Sequence, residues 1–201
     1  MLIPFINTDP SVAAEEVPNG YVNKLITESL QMMTGAVWHH QPEETRGKLP
    51  GYGNHPFTVW IAHSKWAWDW LYCFACALAE REYPKRYPEK IARRKRKKES
   101  LTHKSWDKIQ ELEVPSEFEF ATMSETPLCP LPKAAKGLPN VCTHTQRAGE
   151  FREYLKTCKN KDMWQFLWEP RTRRPAWMPE RNAAQNAIVE RHHKKLKLGP
   201  K

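Results

Sequence analysis

The chain has 201 residues, 40% hydrophobic and 27% charged, which supplies the apolar material for one domain at an ordinary charge density. Its formal charge of +9 favours a polyanionic partner, nucleic acid or an acidic membrane face, and by itself fixes no fold. Eight Gly against 17 Pro exclude a turn-rich sheet protein and point to helices joined by stiff connectors. No stretch reaches the roughly 18 apolar residues of a spanning helix, and residues 1–6 lack the basic lead-in and cleavage site of a signal peptide. Five irregularly spaced Cys fit reduced thiols better than a disulfide framework. The expectation is a cytoplasmic protein without a membrane segment.

Residues 3–5 read as a short strand or an extended arm. Asp9 and Pro10 make a cap with Pro at the first helical position, opening a short helix to Val17 that Pro18, Asn19 and Gly20 break. Residues 21–38 form the next helix, because Val22, Leu25, Ile26, Leu30, Met33 and Val37 recur at three- and four-residue spacing. Lys24, Glu28 and Gln31 occupy its flank. Residues 39–54 are a loop rich in Gly, Pro and charge, of a length that is commonly functional.

Asn54, His55 and Pro56 open the longest predicted helix, run to residue 86. Trp60, Ile61, Trp66, Trp68, Trp70, Leu71, Phe74, Leu78 and Tyr83 cover most of its surface, which predicts a central helix packed on several sides. Arg93, Arg94, Lys95, Arg96, Lys97 and Lys98 follow as a run that is solvated unless an anion neutralises it. Residues 105–112 read as a short helix. Residues 114–141 are Pro-rich and aperiodic, which predicts a strap laid over the helices. A helical section covers 145–168, and 180–196 reads as a terminal basic helix.

Four constellations bear on chemistry. Lys24 and Glu28, one helical turn apart, fit either an acid/base couple or an ordinary surface ion pair. His55 precedes a helix whose free N–H groups suit a phosphate, and serves equally as part of a plain cap at Asn54. Glu82, Arg86 and Tyr87, with the basic run and with His103, Lys104 and Ser105, interleave charge and rings as a phosphate-tracking surface does. A second basic cluster, Arg191, Lys194, Lys195 and Lys197, lies further on. Cys73 and Cys76 are spaced as C-x-x-C without a second pair, which reads as core and not as a metal site. No metal or other cofactor is expected, and no Walker loop, nucleophile elbow or zincin motif occurs.

Several of these residues carry a likeness. Asp9-Pro10 is followed by Val22, Lys24, Glu28 and Gln31 on one helix, then by Asn54-His55-Pro56 with Trp60 and Ser64 at four-residue steps. Glu82, Tyr83, Arg86 and Tyr87 come next, then His103-Lys104-Ser105, Val114-Pro115 with Phe118, Phe151-Arg152 with Tyr154, and Arg174-Pro175 with Trp177. In order and spacing this resembles a family of small bacteriophage proteins grouped with the pyrimidine-dimer DNA glycosylases of the endonuclease V type, over about residues 3–178. The resemblance implies a compact helical domain in phage DNA metabolism. Glu28 and Lys24 would be central, His55 would line the site with Gln31, Asn54, Trp60, Ser64, Glu82 and Arg86, and Arg93, Arg94, Lys95 and Arg96 would meet phosphates. Two departures stand out. Those glycosylases use the amine of a processed N-terminal Thr, whereas Leu2 after Met1 predicts that Met1 is retained. The basic run also replaces a short link.

The expected architecture is mainly α: a single compact helical DNA-processing domain, residues 1–180, with a Pro-rich strap and a basic C-terminal extension, residues 181–201. The leading functional expectation is a DNA glycosylase/lyase-like enzyme acting on a pyrimidine base. The alternatives are a transferase that modifies pyrimidines in DNA, and a non-enzymatic module that binds DNA or a host protein.

Overall fold

The computed structural model describes residues 3–131, 141–157 and 175–178, together with Ala183 and Ala187. The predicted extension 181–201, the basic cluster within it and the second half of the section 145–168 therefore lie outside the described residues, those two alanines apart. The protein is mainly helical, as its proline-punctuated periodicity predicts. The helices are α1 (Pro10–Glu15), α2 (Asn19–His40), α3 (Pro56–His63), α4 (Lys65–Cys76), α5 (Tyr83–Arg86), α6 (Pro88–Lys97), α7 (Lys104–Gln110) and α8 (His144–Thr157), with a π-helical turn, Ala77–Glu82, between α4 and α5. Among the described residues the one β-type pairing is an isolated parallel bridge between Ser64 and Phe120. No helix of the described residues is long and apolar enough to cross a membrane.

α2 is the axis of the molecule and packs against α3, α4, the π turn and α7. Val22, Leu25, Ile26 and Met33 of its periodic face are fully buried, and Leu30 and Val37 flank the core. It begins at Asn19, two residues earlier than the pattern predicts. Pro18 alone therefore stops α1, and Gly20 lies inside the helix. Gly35 lets α3 approach, since a Cβ there would meet Thr58 Cγ2 at 2.8 Å and Gly53 Cα at 3.2 Å.

The single helix expected over 54–86 is divided twice. At Ser64 the backbone turns extended (φ −125°, ψ 119°), and the Ser64 hydroxyl accepts the Ala67 N–H to cap α4. The strap fills the gap: Lys65 N–H donates to the Phe120 carbonyl at 2.8 Å, and Phe120 N–H donates to that of His63 at 3.0 Å. The second interruption answers Pro84, which has no N–H to continue an α-helical ladder. Just before it, Tyr83 N–H bonds the Leu78 carbonyl five residues back, and the helix widens to a π turn.

Of the two readings of residues 3–5 the extended arm holds, and residues 3–6 lie in the core. Ile3, Phe5 and Ile6 are buried, and the Phe5 ring meets Trp60, Trp66, Trp70, His144 and Phe151 with centroids 4.9–6.4 Å apart. The strap crosses α3 as expected and is held by side chains: Trp60 Nε1–H to the Pro127 carbonyl at 2.7 Å, Ser64 Oγ to Thr126 Oγ1 at 2.6 Å, and the His144 Nε2 contact with the Thr126 carbonyl at 3.1 Å.

Candidate nucleic-acid interface

The sequence leaves the basic run as a charged connector, and the structure makes it a helix. None of the ten residues of α6 is buried. Pro88 starts it, where its missing N–H costs nothing, and Lys98 ends it in the left-handed conformation (φ 54°), closing the last carbonyls. Arg93, Lys95, Arg96, Lys97 and Lys98 are exposed, and none forms an ion pair with a described residue.

The inner side of α6 is used differently. The Arg94 guanidinium donates to the carbonyls of Ser100, at 3.2 Å, and of Thr102, and stands over the Tyr83 ring. Lys90 lies 4.4 Å from the Tyr87 ring centroid. Arg94 and Lys90 thus hold the helix down, while the other cations face water. Arg94 belongs with the anchors, although its place in the run gives it the same expectation as its neighbours.

His103 supports this arrangement from the next turn. Its Nδ1 accepts the Ser105 N–H at 3.2 Å, capping α7, which leaves Nε2 to donate to Asn23 Oδ1 at 3.0 Å. Both ring nitrogens are therefore engaged within the protein. Burial, then the nearby Arg94 and Lys90, push its pKa down to about 4, so the ring is neutral at physiological pH. Ser105 meets Thr27 hydroxyl to hydroxyl at 3.3 Å, whereas Lys104 is exposed.

On α2, beside Asn23 and Thr27, Lys24 Nζ lies 3.5 Å from Glu28 Oε1. The lysine is 58% exposed and the carboxylate 8%. Gln31 is exposed one turn further along. The amine is thus exposed and the carboxylate largely covered.

The other expected site residues are placed elsewhere. His55 caps α3 itself, its Nδ1 accepting the Phe57 N–H at 3.2 Å, while Asn54 is exposed beside it. Trp60 and Ser64 hold the strap. Arg86 is sealed from solvent, and its guanidinium donates to Glu82 and to the carbonyls of Ala14, Glu15 and Val17 at the end of α1. Glu82 and Arg86 are therefore interior residues of the fold, not lining of an open site.

A concave region that nothing in the sequence signals lies beside α3. Pro56, Val59, Trp60, Phe120, Pro127 and Pro130 wall a cleft of about 410 Å³ between α3 and the strap. At its mouth His63 Nδ1 lies 3.2 Å from Glu119 Oε2. An aperiodic segment gives no sign of which of its residues crosses which helix, so Glu119 carries no signal that separates it from Glu113 or Glu117.

No described group of three or more His, Cys, Asp or Glu is disposed to hold a metal ion. Cys73 and Cys76 are not core residues as their aromatic surroundings predict: Cys73 is exposed and Cys76 half-buried. Burial and the Glu80 carboxylate push the Cys76 thiol up to about 11, so it is no nucleophile at neutral pH. Comparison with protein-family models, with curated proteins and with solved structures found no match to this chain.

Proposed function

We propose that this protein acts on DNA and grips its backbone through the exposed face of α6. The observation that carries this is a set of five exposed cations with no ion-pair partner among the described residues: Arg93, Lys95, Arg96 and Lys97 on a helix pinned from beneath by Arg94 and Lys90, and Lys98 at its C-terminal cap. A helix of this length rises about 15 Å, and a duplex major groove about 12 Å wide admits one. Fixed cations on such a helix release counterions when they meet phosphates, which makes affinity fall steeply with salt.

The test is fluorescence anisotropy with a labelled duplex across a salt series. Five phosphate contacts correspond to a log–log slope of about −4.5. Replacing all five by Gln should abolish binding and leave the unfolding midpoint near that of the parent. Salt-insensitive binding, or binding that survives the replacement, would refute the proposal. Equal affinity for anionic lipid vesicles would assign the helix to a membrane face instead.

A second reading is favoured by the sheltered Glu28 beside the reachable Lys24. In a glycosylase/lyase of the kind the sequence resembles, an amine bonds to the sugar C1′ as the base departs with the glycosidic electron pair; O4′ then leaves C1′ with its bonding pair, opening the sugar to an imine, while a carboxylate takes the amine's protons and delivers one to O4′. Lys24 would be that amine and Glu28 that carboxylate. Borohydride reduces the resulting imine to a stable cross-link. If Lys24→Ala still traps damaged DNA as well as the parent does, the role of Lys24 is wrong.

A further inference from the structure

We propose that the cleft between α3 and the strap binds a small aromatic amine, a flat apolar body carrying one ammonium group. This goes beyond the DNA reading and stands apart from it. The volume, about 410 Å³, falls in the range of roughly 300–1,000 Å³ usual for small-molecule sites.

The lining decides the body of the ligand. Pro56, Pro127 and Pro130 have no N–H to offer. The Pro127 carbonyl already accepts the Trp60 indole N–H, and both backbone groups of Phe120 are engaged with His63 and Lys65. What these walls present is ring faces and C–H edges. A nucleobase, whose polar edge needs partners when it leaves water, is poorly served there; an aromatic hydrocarbon face is well served.

The mouth decides the head group. Its polar side chains are His63 and Glu119, both more than half exposed and 3.2 Å apart. Of the two, Glu119 is the acidic side chain, with two oxygens placed to accept hydrogen bonds. A cationic N–H donor on a short arm therefore matches Glu119 while the ring lies against Trp60 and the prolines.

Tryptamine, indole and indole-3-acetate test this, titrated into the full chain and read by saturation-transfer NMR and calorimetry. The expected order is tryptamine, then indole, then indole-3-acetate, with tryptamine tighter than indole by about threefold, the scale of an exposed ion pair. Glu119→Gln should erase that preference, and Val59→Trp, which fills the cleft, should remove all binding. Leu128 also lines the cleft, so Leu128→Trp closes the same space from the strap and replaces Val59→Trp if that variant does not fold. Absence of saturable tryptamine binding, indole-3-acetate binding as tightly as tryptamine, or full binding by the filled variant each overturns the proposal. None of these outcomes depends on whether α6 meets DNA.

Discussion

Arg86 Nη2 lies 2.7 Å from Glu82 Oε2, and neither side chain is open to solvent. The same guanidinium donates to three carbonyls at the end of α1, so one residue both neutralises a buried acid and closes a helix that ends 71 residues earlier. Removing Arg86 leaves the buried Glu82 carboxylate to two half-exposed and more distant cations, Arg81 at 3.4 Å and Lys85 at 3.8 Å. Arg86→Met should cost about 3–5 kcal/mol in urea unfolding, near the top of what single substitutions do. Pairing it with Glu82→Leu should recover only part of that, because the α1 carbonyls stay unserved. Full recovery would show that the carbonyl contacts contribute nothing.

His103 gives a pH signature with a definite sign. The unfolded chain takes up its imidazole proton near the ordinary value of about 6.5, whereas the folded ring waits until about 4. Between these values the unfolded state binds more protons, so this residue's contribution to stability falls as pH falls through that window and is complete above it. Urea midpoints of the parent and of His103→Asn, which keeps a capping oxygen, should converge in their pH dependence above about pH 7. Below that the parent should lose more. Parallel curves down to pH 4 would rule the effect out.

Arg93 and Arg94 are adjacent in sequence and opposite in role. Arg93→Gln should weaken duplex binding and lower the salt slope by about one contact, or 0.9. Arg94→Gln should weaken binding with the slope unchanged, because it loosens the turn that positions its neighbours without touching a phosphate. Equal slope changes for the two would make Arg94 a phosphate ligand.

Gly35→Ala should destabilise by about 1–3 kcal/mol through overpacking against Thr58. Thr58→Ser in the same chain removes the methyl that the new Cβ meets at 2.8 Å and should restore part of the loss. Unchanged thermal unfolding in Gly35→Ala would mean that α2 and α3 have slack where they cross.

Three ion pairs show what was legible in the sequence and what was not. Lys24–Glu28, Lys65–Asp69 and Glu82–Arg86 have the same four-residue spacing on helices, yet their partners' exposures are 58% and 8%, 46% and 50%, and 1% and 0%. Spacing reports that two side chains can meet; it does not report which side of the helix the rest of the chain covers. α2 was readable because its apolar face repeats from Val22 to Val37. The break at Ser64 was not, because the apolar pattern runs through it and only a distant Phe120 takes up the freed backbone groups. His55 and His103 were recognisable as special residues before helices, but their Nδ1 atoms act as capping acceptors, a role usually filled by Ser, Asp or Asn.

The arm around Phe5 also sets an order of events during synthesis. Its ring finishes its contacts on Phe151 and His144, which leave the ribosome on the order of ten seconds later at ordinary elongation rates. Until then the Phe5 ring has only the contacts that Trp60, Trp66 and Trp70 offer. The segment is thus made well before the last of its partners, and its packing is completed only when α8 is made.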